Sequence, residues 1–466
     1  MGNGKGTPLK RREFLVAGTT ALALRGAEPE GWSAVGRILK RIQAPEFPKH
    51  DYDATKYGAV ADGITNNAFA FNKAIDDCYL KGGGRVIVPK GDYATSAINL
   101  KSNVNFHLMF GATLHFVREP KVYPLVLSRW EGTECMNYSS FIYANGQENI
   151  AITGDGILNG NCDCEHWWPW KGRTNCGWSK GDPSQDSARN KLMAMGERDV
   201  PVKDRVFGEG SFLRPDFFQP VHCKNVLVEG VTFINSPMFE VHPVYCTNVI
   251  VRNIRILSHG PNNDGCDPDS CKDVLIEGCV FDTGDDCIAI KSGRNRDGRR
   301  IAVPSENIII RNCEMKDGHG AVTIGSEMSG GVRNVFAEGC KLNSPNLNEA
   351  FRFKTNAMRG GTIENIYFRN MDIGQVSDAI LQIDFNYEEG PNGPERPLVR
   401  NIDIRDVTSH KSKYALNVQG FANAPIQKIN IGHCNFNGVE SADVVEHVEG
   451  LSMTDVHVNG KLRGHE

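Results

Sequence analysis

Hydrophobic and polar positions repeat along the chain from about residue 145 onward. Each repeat unit opens with a polar residue, usually asparagine, followed by two short alternating segments rich in β-branched residues, with a polar or glycine pair between them. Such a unit cannot bury its apolar face alone, so successive units must stack to form a core. The units open at Asn149, Asn225, Asn248, Asp273, Asn307, Asn334, Asn365, Asn401 and Lys428.

The spacing of these units predicts the architecture. From Asn225 onward the openings are separated by between 23 residues (225 to 248) and 36 residues (365 to 401), with no intervening helical pattern. A βα-barrel would require a helix after every strand. The pattern therefore predicts an all-β fold, a parallel β-helix in which each repeat contributes one coil.

The sixth residue after each opening position falls in a column of small to medium apolar side chains. This column is predicted to face inward and consists of Val231, Ile254, Cys279, Cys313, Cys340, Met371, Val407 and Cys434. Because a buried free cysteine packs as a small hydrophobe, its four cysteines are predicted to be core thiols. Disulfides are expected in loops instead, among Cys162, Cys164 and Cys176, and between Cys266 and Cys271.

The remaining segments set the domain organisation. Residues 66–80 have helical apolar spacing and end at three glycines, which predicts a helix that caps the open end of the solenoid. Residues 160–215 are a long insertion, expected to be a functional wall or a disordered loop. We predict a signal and linker over residues 1–45 and a single β-helix domain over residues 46–466.

The amino terminus has the pattern of an export signal. Arg11 and Arg12 precede Phe14, Leu15 and a weakly apolar stretch that ends at Leu24. The stretch is too short to span a membrane, and the paired arginines resemble a twin-arginine signal. We expect a bacterial protein exported to the periplasm or beyond; the alternative is a chance basic turn before a structural helix.

Composition narrows the class of partner. A net charge of −4 gives no sign of the basic surface that nucleic-acid binding needs, and no apolar run is long enough for membrane insertion. A polyanionic substrate would therefore need a local basic patch. We expect a monomer that binds neither nucleic acid nor membrane.

Four short polar motifs lie in successive repeat units. Asp285 follows Asp264 by 21 residues, His319 follows Asp286 by 33, and Arg352 follows His319 by 33. Equivalent positions of neighbouring coils stack about 4.8 Å apart, so this spacing predicts one stripe on one face. The motifs are Asn262-Asn263-Asp264-Gly265, Gly284-Asp285-Asp286, Gly318-His319-Gly320 and Arg352-Phe353-Lys354.

The stripe predicts three carboxylates beside fixed cations. Adjacent Asp285 and Asp286 can both face a cleft only at a bend, which Gly284 permits. Arg352 and Lys354, two residues apart, share a face. When carboxylates lie close together, their repulsion raises the pKa of at least one of them, so one carboxyl stays protonated while another is ionised. Glycosidic cleavage needs that division, although singly each aspartate could be an ordinary turn residue.

A cluster of basic residues follows the aspartates closely. The planar guanidinium group of arginine can donate two parallel hydrogen bonds to a carboxylate. Cations beside an acid cluster are therefore consistent with a substrate that is an acidic sugar. The alternative for the individual arginines is a solvated loop of scattered charge. The cluster is Lys291, Arg294, Arg296, Arg299 and Arg300.

These four ordered motifs resemble those of the polygalacturonase family, glycoside hydrolase family 28. The resemblance covers most of the chain from about residue 51 and departs from the usual motifs at Asn263 and Phe353, which should point away from the cleft. It implies a right-handed, single-stranded parallel β-helix. It also implies inverting hydrolysis of α-1,4-galacturonosyl linkages in pectin, a plant cell-wall polysaccharide, without a metal or other cofactor.

The resemblance assigns roles by position. Asp285 is expected to be the general acid, while Asp264 and Asp286 hold and activate water. His319 is expected to support the protonation and orientation of the acid. Arg352 and Lys354 are expected to grip a galacturonate carboxylate. The complete set of expected substrate-binding residues is Arg352, Lys354, Asn262 and Tyr387.

The long segments 160–215 and 291–306 resemble those of bacterial exo-acting members, whose extra loops close one end of the cleft. They favour exo cleavage over endo cleavage. Rhamnogalacturonan or xylogalacturonan remains an alternative substrate. A calcium-dependent pectate lyase and a non-catalytic carbohydrate-binding solenoid remain alternative classes, and the intact motifs disfavour both.

Overall fold

The chain winds into a right-handed parallel β-helix, as the repeat pattern predicts. The computed structural model describes Met1 and residues 31–464, so the predicted export signal lies outside the described residues. Backbone hydrogen bonds pair each coil with the next in parallel register; Val249, for example, lies beside Val226 on one side and Val274 on the other. Three faces result, and the apolar core fills the space between them.

Two of the three faces form one continuous 22-stranded sheet. They merge because the late strands run for 11 or 12 residues and continue from one face into the next. The strands of this sheet are Asp51–Asp53, Gly84–Val88, Gly91–Thr95, Val104–Leu108, Ala112–Phe116, Glu148–Gly154, Ile157–Asn159, Lys224–Glu229, Thr232–Ile234, Thr247–Arg252, Arg255–Ser258, Lys272–Glu277, Val280–Thr283, Ser305–Arg311, Glu314–Met315, Val332–Glu338, Lys341–Leu342, Thr362–Ile373, Leu398–Ser409, Ile426–Phe436, Val448–Val458 and Lys461–Leu462.

The third face carries the predicted polar stripe. It consists of a three-stranded and a six-stranded sheet, connected by isolated bridges at Val241 and Cys266. A separate antiparallel hairpin, Leu125–Trp130 and Thr133–Tyr138, projects beside it. The strands of the third face are Ile98–Asn99, Ile142–Asn145, Phe218–Val221, Ile288–Ile290, Gly318–Ile324, Leu347–Lys354, Ala379–Asp384, Tyr414–Gln419 and Val444–Glu446.

Helices lie outside the coils or at their amino-terminal end. The predicted cap is a helix of 13 residues whose Phe71, Ile75 and Cys78 are fully buried in the main core. No helix among the described residues is both long and apolar enough to cross a membrane. The α-helices are α1 (Val35–Arg41), α2 (Ala68–Leu80), α3 (Asp186–Glu197) and α4 (Asn295–Ile301), and the 3-10 helices are Gly31–Ala34, Ala54–Tyr57, Pro120–Val122, Trp168–Lys171, Thr174–Cys176 and Val202–Asp204.

The inward column is confirmed, and its four cysteines are buried free thiols. One loop disulfide forms, between Cys164 and Cys176, while Cys162 stays free. The expected pairing of Cys266 with Cys271 is wrong. Both thiols are fully buried members of the main core and pack against hydrophobic neighbours, not in a loop where they could meet.

The segment before residue 46 is more than a linker. Val35 and Ile38 of helix α1, and Ile42 just after it, pack onto the outer surface of the sheet. Their partners are the outward-pointing third residues of successive repeat units, which are apolar and need covering because exposed apolar area is unfavourable. These partners are Ala151, Leu227, Ile250, Leu275, Ile309, Phe336 and Tyr367.

The opening residues of the repeats form a ladder of side-chain amides. The asparagines among them sit at a left-handed backbone φ between 55° and 60°, a conformation that asparagine tolerates better than most residues. Each amide donates to the oxygen one coil earlier, as from Asn225 to Asn149 at 2.7 Å and from Asn334 to Asn307 at 3.1 Å. At Asp273 the donor is replaced by a carboxylate, which accepts two hydrogen bonds from Arg41 of α1.

The ladder predicts a stability loss for Asn334→Ala. The substitution removes two hydrogen bonds, to Asn307 and from Asn365, and places alanine at a φ of 56°. We expect the free energy of unfolding to fall by about 2–4 kcal/mol, measured from urea denaturation. Asn334→Gly is the matched control: it loses the same bonds without the backbone strain and should lose less. Equal stability of wild type and both variants would contradict a stabilising ladder.

Candidate active site

The third face brings the four predicted motifs side by side. Asp285 and Asp286 immediately precede the strand Ile288–Ile290, whose neighbours in the next two coils are Gly318–Ile324 and Leu347–Lys354. The expected bend occurs at Gly284. A Cβ there would lie 2.4 Å from the carbonyl oxygen of Gly260, so only glycine allows this close approach of coils.

Three aspartates form a compact cluster. One carboxylate oxygen from each of Asp264, Asp285 and Asp286 lies within 4.8 Å of the others. Asp264 and Asp286 are buried, whereas Asp285 is partly exposed toward a cavity. The middle residues Asn263 and Phe353 are fully buried and point away from that cavity, as expected.

Asp286 is held by two cations. Its carboxylate accepts hydrogen bonds from Lys354 at 2.7 Å, Arg352 at 3.2 Å and Thr323 at 2.9 Å. Burial alone would raise the pKa of Asp286, but Lys354 and Arg352 outweigh it and lower the pKa. Asp286 is therefore ionised at neutral pH.

Asp285 is paired with the imidazole of His319. Nδ1 of His319 lies 2.8 Å from Oδ1 of Asp285, and the Asn262 amide donates to the other oxygen at 3.4 Å. Burial opposes ionisation of Asp285, yet the His319 hydrogen bond and charge lower its pKa. The same hydrogen bond raises the pKa of His319 to about 9. The pair therefore exists as imidazolium and carboxylate at neutral pH.

Asp264 has the opposite electrostatic environment. Burial, reinforced by the negative charge of Asp285, raises its pKa to about 7, and the Lys291 ammonium at 3.3 Å only partly offsets this. Its Oδ1 is buried without a hydrogen-bond partner among the described residues. The electrostatics agree with the expectation that one carboxyl of the cluster has a raised pKa while the others stay ionised, and the carboxyl with the raised pKa is Asp264 and not the expected acid, Asp285.

The basic cluster divides in two. Lys291 enters the site, where it contacts Asp264 and lies 4.7 Å from the ring centre of Phe239. Arg296, Arg299 and Arg300 belong to α4 and bond to Asp199, to the backbone of the loop at residues 358–359 and to Asp297 respectively. Those three arginines are not among the residues that line the cavity.

The predicted substrate-binding residues surround the aspartates. Asn262, Lys354 and Tyr387 line the same cavity, and the Lys354 ammonium lies 5.4 Å from the Tyr387 ring centre. Arg352 sits beneath them against Asp286. The structure therefore brings every member of the set that the family resemblance implies into one region.

The insertion at residues 160–215 is an ordered wall. With the hairpin and the loop after Ala379–Asp384 it encloses a cavity of about 260 Å³ over Asp264 and Asp285. Arg189 of α3 joins these parts through Glu131 at 2.6 Å and Glu388 at 3.1 Å. The sequence offered no periodic signal for these ion pairs, because they connect loops that are far apart in the chain.

Comparison with known proteins agrees with the geometry. The family model described as glycosyl hydrolases family 28 matches residues 209–456, more than half of the chain. A probable polygalacturonase of Vitis vinifera is 27% identical, over 94% of this chain and 86% of that protein. An exo-poly-alpha-D-galacturonosidase of Dickeya chrysanthemi is also 27% identical, over 78% of this chain and 64% of that protein.

Solved structures give the same result. An exopolygalacturonase from Thermotoga maritima superimposes with a TM-score of 0.89 and is 45% identical, over 92% of this chain and 96% of that one. The Erwinia carotovora polygalacturonase, 23% identical with a TM-score of 0.64 over 88% of this chain and 98% of that one, shares the fold. The sequence match and the three stacked aspartates together show that this chain is a member of glycosyl hydrolases family 28.

Proposed function

We propose that the protein hydrolyses α-1,4-galacturonosyl linkages of polygalacturonate by acid/base catalysis at the aspartate cluster. The observation that carries the proposal is that the ionised carboxylate of Asp286 lies within 4.8 Å of Asp285, which is hydrogen-bonded at 2.8 Å to the imidazolium of His319. Glycosidic cleavage needs both a proton donor and a base. The printed names of the relatives, polygalacturonase and exo-poly-alpha-D-galacturonosidase, support the choice of sugar.

Substrate binding makes Asp285 the acid. In the empty site Lys354 and Arg352 help to keep the pKa of Asp285 low. A galacturonate carboxylate that binds these cations shares their charge and adds a negative charge of its own, so the pKa of Asp285 rises. His319, hydrogen-bonded to Asp285 at 2.8 Å, then supplies the proton that Asp285 passes to the glycosidic oxygen.

Asp264 and Asp286 hold the attacking water. Asp286 is kept ionised by Lys354 and Arg352, so it accepts a proton as the water attacks the anomeric carbon. The unpartnered oxygen of Asp264 provides a second hydrogen-bonding position for the same water. Tyr387 lies against Lys354 and packs on the sugar whose carboxylate that lysine binds.

Cleavage proceeds from a chain end. The cavity of about 260 Å³ is smaller than the roughly 300–1,000 Å³ of sites for drug-sized ligands, so it accepts only the terminal part of a polymer. The Arg189–Glu388 ion pair joins two segments that line this cavity, and Arg294 also donates to Glu388 at 2.7 Å. We infer that this wall ends the cleft beside the aspartates. The similarity to the Thermotoga maritima exopolygalacturonase supports this mode.

Export is part of the proposal. The substrate is a polymer outside the cell, and Arg11 and Arg12 precede an apolar stretch as in twin-arginine signals. Helix α1 already packs on the sheet, so the folded domain includes residues from 31 onward and the signal precedes them.

Asp285→Asn tests the acid assignment. We expect kcat on de-esterified polygalacturonate to fall roughly 100- to 10,000-fold, measured as new reducing ends in the presence of a calcium chelator. Wild type should release mono- or digalacturonate first and form no unsaturated product. Asp282→Asn is the matched control, because Asp282 pairs with His259 and does not line the cavity. Chelator-sensitive, unsaturated products would identify a lyase instead.

The pH profile tests the proton assignment. The proton that Asp285 passes to the substrate comes from His319, whose pKa is raised to about 9 by its hydrogen bond to Asp285. We expect kcat/KM to fall as pH rises through about 9, because His319 then loses that proton. His319→Gln cannot supply a proton, so its kcat/KM should be lower at neutral pH and should lack this alkaline limb. The same limb in wild type and in His319→Gln would contradict the role of His319 as the proton source.

The stereochemistry tests the role of Asp264 and Asp286. Carboxyl groups stand roughly 6.5–9.5 Å apart in most inverting glycosidases and roughly 5–5.5 Å apart in retaining ones. Oxygens of the aspartate cluster lie within 4.8 Å of one another, closer than the spacing in most inverting glycosidases. The expectation of inversion therefore rests on the family resemblance and on Asp264 and Asp286 holding one water between them. We expect β-galacturonate as the first anomer in proton NMR of a fresh digest. Initial α-anomer would show a covalent intermediate.

A further inference from the structure

Two basic residues of the insertion face the cavity without a carboxylate partner. Lys171 ends the 3-10 helix Trp168–Lys171, and Arg173 follows two residues later. Neither makes an ion pair with any residue that the structure describes, and the only bond of Arg173 is to the carbonyl of Gly172 at 3.3 Å. Asp186, at the exposed rim beside Gly172, pairs with neither of them.

Each of the other basic residues that line this cavity forms an ion pair with a carboxylate. Arg189 bonds to Glu131 and Glu388, Lys291 to Asp264, and Lys354 to Asp286. Lys171 differs from these residues because its ammonium is partly desolvated and has no counter-ion, which is energetically unfavourable.

The backbone that carries Lys171 is held firmly. The Trp168 indole donates to the Ser236 carbonyl at 2.8 Å, the neighbouring Trp167 ring is buried among aromatic side chains, and Gln185 bonds to the Trp170 carbonyl at 2.7 Å. The Cys164–Cys176 disulfide closes the loop around it. The backbone at Lys171 is therefore held in place before any ligand arrives, so binding has to order only the lysine side chain.

The Lys171 ammonium has lost part of its solvation. Burial lowers the pKa of Lys171, as do the positive charges of Arg214 and Arg189, while the negative charges of Glu131 and Asp285 oppose the shift. A bound carboxylate would replace the solvation that the ammonium has lost.

We propose that Lys171, assisted at the rim by Arg173, forms a second carboxylate-binding site, which holds the terminal galacturonate on the other side of the scissile bond from Arg352 and Lys354. This inference rests on the proposed function. Each sugar of a galacturonan carries one carboxylate, and the closed cavity leaves room for a chain end. Lys171 thereby selects a free acid over an ester at that position and fixes which bond is cut.

The test compares two substrates on two proteins. Trigalacturonate and the same trisaccharide with a methyl ester on its non-reducing-end sugar are hydrolysed by wild type and by Lys171→Met. Wild type should prefer the free acid in kcat/KM by on the order of 10- to 100-fold, mainly through KM. Lys171→Met should bring that preference close to one, and Lys171→Arg should restore most of it. Lys180→Met, at an exposed lysine of the same insertion away from the cavity, should behave as wild type.

An unchanged preference in both Lys171→Met and the Lys171→Met/Arg173→Met double variant would overturn the inference. Calorimetric binding of digalacturonate to Asp285→Asn, with and without Lys171→Met, separates this failure from that of the proposed function, since binding needs no turnover. Weaker binding without Lys171 supports the site even if no hydrolysis occurs. Equal binding in both proteins rejects it.

Discussion

Backbone hydrogen bonds between parallel coils are the constraint on which the whole molecule depends. They fix each coil in register with the next, and the ladder of asparagine amides repeats that register with side chains at one corner. Because the register is fixed, residues one turn apart in sequence become neighbours in space. Asp264, Asp285 and His319 of the candidate active site therefore meet although no two of them belong to the same coil.

The site balances its buried charges almost pair by pair. Asp286 has Lys354 and Arg352, Asp264 has Lys291, and Asp285 has His319. Burial penalises an isolated charge strongly, so these pairs allow Asp285 and Asp286 to stay ionised, while Asp264, which Lys291 compensates only in part, has a raised pKa. An anionic sugar that enters must compete for some of these cations. Binding and proton position are coupled for that reason.

The repeat pattern predicted the coils, the inward column and the polar stripe, because all three are set by residues at equal positions of adjacent coils. The third-position column under α1 has the same periodicity and could have been found as a run of outward apolar residues such as Leu227 and Ile309. The Arg189–Glu388 pair could not, since it joins loops 199 residues apart. Nor could motif spacing show that Asp264 is the aspartate whose pKa is raised, because that depends on its burial and on the charges of Asp285 and Lys291.

The buried thiols affect how long the protein stays folded in an oxidising medium. Of 14 cysteines, only Cys164 and Cys176 are joined, and the other twelve are buried. Packing alone shields those sulfurs from oxidants. A molecule that unfolds in air exposes twelve thiols that have no native partner, and scrambled cross-links then block its return. Its durability in an oxidising medium is therefore kinetic, set by how seldom the coils come apart.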